Sequence, residues 1–438
     1  MLELKENLAD KNIFLEKIPG YQSFLIYAPL SGAAAVLDNK TVEQFAAGKQ
    51  AQELQELSES LLEDAVSPEV PLRCETAADL GVLYVIPNFK CNFRCTYCYA
   101  ASTRNTNEIS LNTLISGIKA FLSTSKCHRV RICFMGGGEP LLSWEVIHDA
   151  LAILAEYPDR IIEVSVITNG SIVSEVFLSD CKLYNIKCNV SFDILPDLQE
   201  QQRGNYQLVK NNILKLLSEN IPVRLRATIT PDAVLRLPEM VREILKAFGN
   251  KVSLILEPVT SAALIPDKVA AQNFFQTYYS QFVESLTIAS ANNLVLQNSF
   301  LRASEDVQGR FCRNMITLLP EGQSIKCPCF ASPDPSFDFH SDTNYIGMIS
   351  GKELCVAETG KNNFSPVVDS LEQCRLCIAK WHCAGGCEHH RREYSKEVFD
   401  EICILMQRFT IMSVLQKLDT LYKASGLPGV YDVLQGEQ

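Results

Sequence analysis

Residues 81–100 read GVLYVIPNFKCNFRCTYCYA. The first half, 82–87, is a short apolar run of strand character. The second half sets Cys91, Cys95 and Cys98 at C-x3-C-x2-C spacing on one loop. Three thiolates that close together can hold three irons of a 4Fe–4S cluster and leave the fourth iron without a protein ligand. An open iron can chelate an amino acid through its amine and carboxylate. The alternative is a structural zinc loop. Zinc takes four ligands in such sites, and no further Cys or His follows within this loop.

The strand before the loop opens a repeating pattern. Strand candidates fall at 82–87, 129–134, 161–168, 186–193, 222–229 and 252–257, with helical stretches such as LNTLISGIKAFLSTS between them. Six strand–helix units argue for a parallel sheet covered by helices, as an open sheet or a partial barrel. Ligands in such folds bind at the C-terminal strand ends. Strand two ends in Met135-Gly136-Gly137-Gly138-Glu139-Pro140, where glycines admit close approach to the backbone and Glu139 can pair with an ammonium group. Strand three ends in Thr168-Asn169-Gly170, readable as a strand-terminating turn or as a ligand contact. Strand four ends in Ser191-Phe192-Asp193, with Arg203 downstream, and strand six ends in Glu257. Glu257 is a candidate general base or a loop cap. Cys133 and Cys188 lie within strands and read as buried thiols, while Cys74, Cys127 and Cys181 carry no spacing signal.

Outside 81–300 the character changes. Residues 1–80 suggest two short strands around Ser31-Gly32, a helix from about Thr41 and another at 50–64, followed by Pro68 and Pro71. Residues 301–438 hold Cys312-x9-Gly322-x4-Cys327, then Cys374-x2-Cys377-x5-Cys383-x3-Cys387, then Cys403 after fifteen intervening residues. A zinc ribbon would use four of these cysteines and leave three idle. A last helix is expected at 404–424. The chain's 17 cysteines in 438 residues come without a signal-peptide core at MLELKENLADKN. No apolar run approaches the ~20 residues of a membrane span. A cytoplasmic location, and hence metal or redox use of the cysteines, is expected. A net charge of −11 speaks against nucleic-acid or anionic-membrane partners.

CNFRCTYCYA and the six strand–helix units resemble the radical S-adenosylmethionine (SAM) superfamily over roughly 81–290. The fold this implies is α/β, a partial (β/α)6 TIM-like barrel. The resemblance implies a 4Fe–4S cluster on Cys91, Cys95 and Cys98. It further implies reductive cleavage of SAM to methionine and a 5′-deoxyadenosyl radical that abstracts a substrate hydrogen. Gly137, Gly138 and Glu139 look like that family's GGEP motif, which holds the SAM amino group. Ser191, Asp193 and Arg203 match positions contacting the SAM ribose and carboxylate, although Ile194 stands where Gly is usual. Tyr97 sits where an aromatic residue lies beside the adenine, and Thr168 and Asn169 join the expected SAM contacts.

The C-terminal spacing is similar to the SPASM domain, which carries two auxiliary 4Fe–4S clusters. By that resemblance Cys374, Cys377, Cys383 and Cys403 ligate an outer cluster, and Cys312, Cys327 and Cys387 an inner one. Cys329, Cys355 or an open iron could complete the inner site. His382, His389 and His390 are expected to be hydrogen-bonding rather than ligating.

The resemblance to SPASM enzymes implies a peptide-modifying enzyme, with one cluster for SAM cleavage and two for moving electrons. The expected reaction is a thioether or carbon–carbon cross-link in a ribosomally made precursor peptide, with flavodoxin or ferredoxin as electron donor. Residues 1–80 would help bind the peptide by strand addition, or would only cover the barrel. Oxidation of Cys or Ser to formylglycine, as in sulfatase maturation, is the alternative. Pro328 stands where that branch has an acidic catalytic residue. A non-catalytic Fe–S electron carrier is a further alternative, but such a carrier needs neither the glycine loop nor the six units.

Overall fold

In a computed structural model of the chain, residues 1–69, 76–312, 315–331, 345–350, 353–356 and 367–436 are described. Cys74 and the Cys355 side chain lie outside the described residues. The N-terminal module begins with a helix, Leu2–Ala9, and three antiparallel strands. These are β1 (Phe14–Lys17), β2 (Phe24–Ala28) and β3 (Ala33–Leu37), in the order β1-β2-β3. Helices Asn39–Ala46 and Ala51–Leu61 follow. The β2–β3 hairpin turns at Ser31-Gly32 as expected, with Gly32 in the left-handed region (φ +79°). The first helix and β1 were not expected. Four residues of Phe-Leu-Glu-Lys are too few to show a period, and β1 exists through pairing with β2. The cap of the next helix is Asp38, accepting from Thr41 N at 2.8 Å.

The six expected strands form as β4 (Val82–Val85), β5 (Arg129–Phe134), β6 (Ile161–Thr168), β7 (Lys187–Ser191), β8 (Val223–Ile229) and β9 (Ser253–Pro258). Each pairs in parallel with the next. The sheet continues at both edges. β10 (Val295–Gln297) adds in parallel to β9, and β11 (Met315–Leu318) in parallel to β4. β12 (Gln323–Ile325), β13 (Tyr345–Ser350) and β14 (Glu353–Val356) then pair antiparallel outward. The architecture is mixed α/β, with a parallel-stranded sheet like a partial TIM barrel. Covering helices start on side-chain caps: Ser110 for Leu111–Thr124, Ser174 for Glu175–Leu183 and Asp267 for Lys268–Ala291.

The last long helix starts earlier than expected, at Lys396 behind the Ser395 cap, and runs to Ala424. It carries Cys403 in its first turns. Phe409 on this helix meets the rings of Tyr278, Tyr279, Phe282 and Phe300, fixing the C-terminal region to the barrel. The N-terminal module packs on that same C-terminal region. Phe14, Ile18, Leu25 and Leu30 share one buried core with Trp381, Ile411 and Leu415. Asn12 Oδ1 accepts from Trp381 Nε1 at 2.9 Å, and Tyr27 OH pairs with His382 Nε2 at 2.9 Å. A crevice of about 250 Å³ lined by Asp10, Asp369, Arg375 and Lys380 lies along this seam. Among the described residues no helix is long and apolar enough to cross a membrane.

Candidate active site

The three-cysteine loop leaves the C-terminal end of β4 and is pinned at several points. Phe89 and Phe93 are buried beneath it. Asn88 Nδ2 donates to Glu139 O (3.0 Å) and Ser143 Oγ (2.7 Å), and Asn92 Oδ1 accepts from Asn169 Nδ2 (2.8 Å). Cys95 is half-buried, and burial pushes its thiol up while the Arg203 charge pulls it down. Cys98 and Cys91 lie within its field. Among the described residues no three His, Cys, Asp or Glu side chains converge on a single ion position. A 4Fe–4S cluster takes each thiolate on a different iron, so its ligands ring it rather than meet at a point. The donor set on this loop therefore fits a cluster.

The glycine loop after β5 serves the cysteine loop directly. A Cβ on Gly138 would lie 1.8 Å from Lys90 O, and Glu139 N donates to that same carbonyl at 2.6 Å. The glycines are required because two loops meet backbone to backbone there. Glu139 is buried and accepts from Thr168 Oγ1 (2.6 Å), Asn169 N (2.7 Å) and Leu141 N (3.0 Å). Burial pushes its carboxyl up and these donors pull it down. Three of its four acceptor sites are engaged inside the fold. Thr168 and Asn169 are likewise engaged: Thr168 Oγ1 accepts from Gly170 N, and Asn169 Oδ1 from Ser171 N. These bonds form a turn at the end of β6.

Ser191 ends β7, half-buried. Asp193 lies below it, buried, with every polar atom directed inward. Its Oδ2 accepts from Tyr97 OH (2.5 Å) and Arg203 Nε (3.2 Å), its Oδ1 from Thr228 N (3.2 Å). Arg203 also donates from Nη1 to Cys95 Sγ at 3.7 Å and stacks 5.2 Å above the Tyr97 ring. Burial works against the Arg203 charge, and Asp193, Tyr97 and Cys95 more than restore it. Asp193 thus orients the residues around the cysteine loop. The turn that Gly usually makes is retained: Ile194 adopts φ +70°, fully buried. A β-branched residue there carries strain of about 1–3 kcal/mol.

Glu257 stands near the C-terminal end of β9. It accepts from Ser299 N at 3.1 Å and from Ser299 Oγ, and lies 3.9 Å from Arg226 Nη2. It braces the start of the helix Ser299–Ala303.

The C-terminal cysteines gather in two sets. Cys377, Cys403 and Cys374 all lie within the field of the buried Cys383 thiol, which burial pushes well up. Burial likewise pushes Cys377 up to about 12 and Cys403 to about 11. Cys312 and Cys327 lie within the field of Cys387, which burial pushes up to about 12. Cys327 is hydrogen-bonded to Cys329. Partly buried thiols raised in this way stay protonated until a metal replaces the protons. Tyr99 joins this second set to the first loop: its hydroxyl donates to Gly136 O at 2.8 Å and feels Cys329, Cys98 and Cys327. His382 bonds Tyr27 and Asp306 O, and His390 Nε2 bonds Thr260 Oγ1, as hydrogen-bonding roles require. Cys181 and Cys188 lie buried with their sulfurs 3.8 Å apart.

Sequence reading missed one polar feature, the arginines at alternate positions of β5 and β8. The signal was present in Arg129-Val130-Arg131 and Arg224-Leu225-Arg226. Parallel strands covered on both faces are normally apolar throughout.

The sequence matches the radical SAM superfamily over residues 85–247. It is similar to the radical SAM cyclopropyl synthase TigE of Paramaledivibacter caminithermalis, at 25% identity over 166 residues. That stretch is 34% of this chain and 35% of the synthase, so the chain spans about a third of that relative. It is similar to the cysteine-type anaerobic sulfatase-maturating enzyme of Clostridium novyi, at 25% identity over 71% of this chain and 88% of that one. The fold is similar to Streptococcus suis SuiB bound to its precursor peptide SuiA. The TM-score is 0.55 at 12% identity, over 88% of this chain and 97% of SuiB. The sequence match spans β4 through the helix following β8, the same strands that carry the cysteine loop, the glycine loop and Asp193. This chain carries a radical SAM domain.

Proposed function

We propose that the chain modifies a ribosomally made peptide, forming a thioether or carbon–carbon cross-link. Residues 81–300 are its radical SAM core, 301–438 a SPASM domain and 1–80 a peptide-recognition module. The observation that carries this reading is that the Tyr99 hydroxyl, beside Cys98 on the first loop, lies within the field of Cys327 and Cys329. A hydrogen-abstracting centre and an electron acceptor would flank one substrate position there. When bound, the SAM-loop cluster supplies the electron that cleaves SAM. Cys91, Cys95 and Cys98 hold that cluster. Gly137, Gly138, Ser191 and Arg203 bind SAM, with Tyr97 at the adenine and the free acceptor site of Glu139 toward the amino group. Asp193 positions Tyr97 and Arg203, while Thr168 and Asn169 fix Glu139. Cys312, Cys327 and Cys387 hold the inner auxiliary cluster; Cys374, Cys377, Cys383 and Cys403 hold the outer one. The outer cluster would exchange electrons with a flavodoxin or ferredoxin. The C. novyi relative favours a second reading, oxidation of a Cys to formylglycine, against which Pro328 stands.

The test uses a short peptide encoded beside this chain's own gene, incubated with reconstituted protein, SAM and dithionite. A peptide that loses two hydrogen atoms in mass and gains a cross-link fragmentable by mass spectrometry is expected. Exchange of a cysteine thiol for an aldehyde would instead establish the formylglycine reading. β3 is one of the two edges of this sheet, β1 being the other, and among the described residues it pairs with β2 alone. Its amides are expected to gain hydrogen-exchange protection when the peptide is added. Unchanged exchange there would make residues 1–80 a cover for the C-terminal core.

A further inference from the structure

The concave face of the barrel is cationic in a chain whose net charge is −11. On β5, Val130 and Ile132 are buried under the helices, which leaves Arg131 on the concave side, exposed. On β8, Leu225 and Ala227 are buried and leave Arg224 exposed and Arg226 half-buried on that side. Arg302 reaches the same space from the helix Ser299–Ala303: it lies with Arg131 and Arg226 in the field of the Tyr84 hydroxyl on β4. All three also act on Arg224, where desolvation and the neighbouring guanidinium charges both work against its own charge. The four cations thus share one volume.

Little within the fold neutralises them. Arg224 Nε donates to the neutral Ser253 Oγ at 3.3 Å. Arg226 lies 3.9 Å from Glu257, a carboxylate already held by Ser299. Among the described residues, Arg131, Arg224 and Arg302 have no carboxylate within ion-pair distance. Glu163, the register neighbour of Arg131 on β6, is already held by Arg129 (2.6 Å) and Lys187 (2.7 Å). The array also leads to the chemistry, because Arg226 lies in the field of Tyr99 beside Cys98. Unpaired like charges held together disfavour the empty fold, and an anionic ligand relieves them.

We propose that Arg131, Arg224, Arg226 and Arg302 form a binding site for the carboxylates of an acidic substrate segment, set in the barrel beside the three-cysteine loop. The proposal rests on the peptide reading above and gives that substrate a chemistry. Two features favour spaced carboxylates over a polyphosphate. Arg131 on β5 is separated from Arg224 and Arg226 on β8 by β6 and β7, and Arg302 comes from a helix, so the charges are spread over the space they share. Glu257 within the array would oppose a compact block of negative charge.

The test is fluorescence anisotropy on the full reconstituted chain. The probes are a labelled Gly-Ser peptide carrying spaced Glu residues and its counterpart with Gln at each Glu. The Glu peptide is expected to bind about tenfold tighter, an advantage that shrinks as salt is added. Arg131→Gln with Arg224→Gln should erase the advantage, and Arg302→Gln alone should reduce it. Arg129→Gln, which removes a charge already paired with Glu163, should leave it. Circular dichroism and iron content establish that each variant is folded, and Arg302→Gln keeps the test decisive if the double variant is not. Equal binding of the two peptides, or an advantage that survives the double and single variants, overturns the proposal. GTP competition is the third arm. If GTP displaces the Glu peptide and binds tighter than it, the site belongs to a phosphate ligand and the proposal fails. Binding needs no turnover, so a chain that modifies no peptide would fail the proposed function without deciding this comparison.

Discussion

Replacing Cys91, Cys95 and Cys98 together by Ala is expected to abolish 5′-deoxyadenosine formation from SAM and dithionite. The effect should be complete because of where the open iron lies. The outer set already supplies four thiols, crowded around Cys383. A site closed by four cysteines has no iron free to take the SAM amine and carboxylate. The three-cysteine loop is the set that adjoins the glycine loop, Tyr97 and Arg203. The triple variant should keep the iron of its other sites, since those cysteines sit more than two hundred residues away in sequence, on separately packed elements. The check is liquid chromatography of the nucleoside product, with iron measured on the same sample. Undiminished 5′-deoxyadenosine would place SAM cleavage elsewhere.

Asp193→Ala should have the second largest effect, on stability as well as on SAM. The substitution leaves Arg203, whose side chain is 10% exposed, as an uncompensated buried charge. Breaking a buried ion pair from one side costs about 3–5 kcal/mol. Tyr97 OH and Thr228 N lose their acceptor in the same step. Asp193→Asn keeps an acceptor oxygen for part of this network and should cost less. Denaturant unfolding of the two variants against the wild type reads the difference. A cost for Asp193→Ala below about 1 kcal/mol, the range of an exposed pair, would show that the network carries little. Weaker SAM binding should accompany the loss, because the guanidinium at Cys95 is then no longer held in place.

The barrel was legible because its signals are local. β4 to β9 appear as short apolar runs between periodic helices, and serine caps such as Ser110 and Ser174 mark where those helices begin. β10 and β11 were not legible. Three or four residues such as Val-Leu-Gln become strands only by pairing with β9 or β4, partners distant in the chain. The same holds for β1. At the site, the residue types were legible and their duties less so. Glu139, Thr168 and Asn169 form one hydrogen-bonded brace between strands adjacent in the sheet, and Asp193 reaches Tyr97 across nearly a hundred residues. Spacing identifies such residues but not the partners they find. Ile194 shows the converse: the turn survives without glycine, at the expense of backbone strain that no motif reveals. The arginine alternation on β5 and β8 is legible in the sequence, whereas the face it lines is set only by the pairing of the strands.

The account stands on three cysteine sets acting as three clusters. The direct measurement is iron, sulfide and zinc per chain after anaerobic reconstitution. Ten cysteines in these sets, with four irons per cluster, predict about twelve irons and as many sulfides, without zinc. About four irons together with bound zinc would contradict it, leaving a radical SAM domain joined to a structural zinc region.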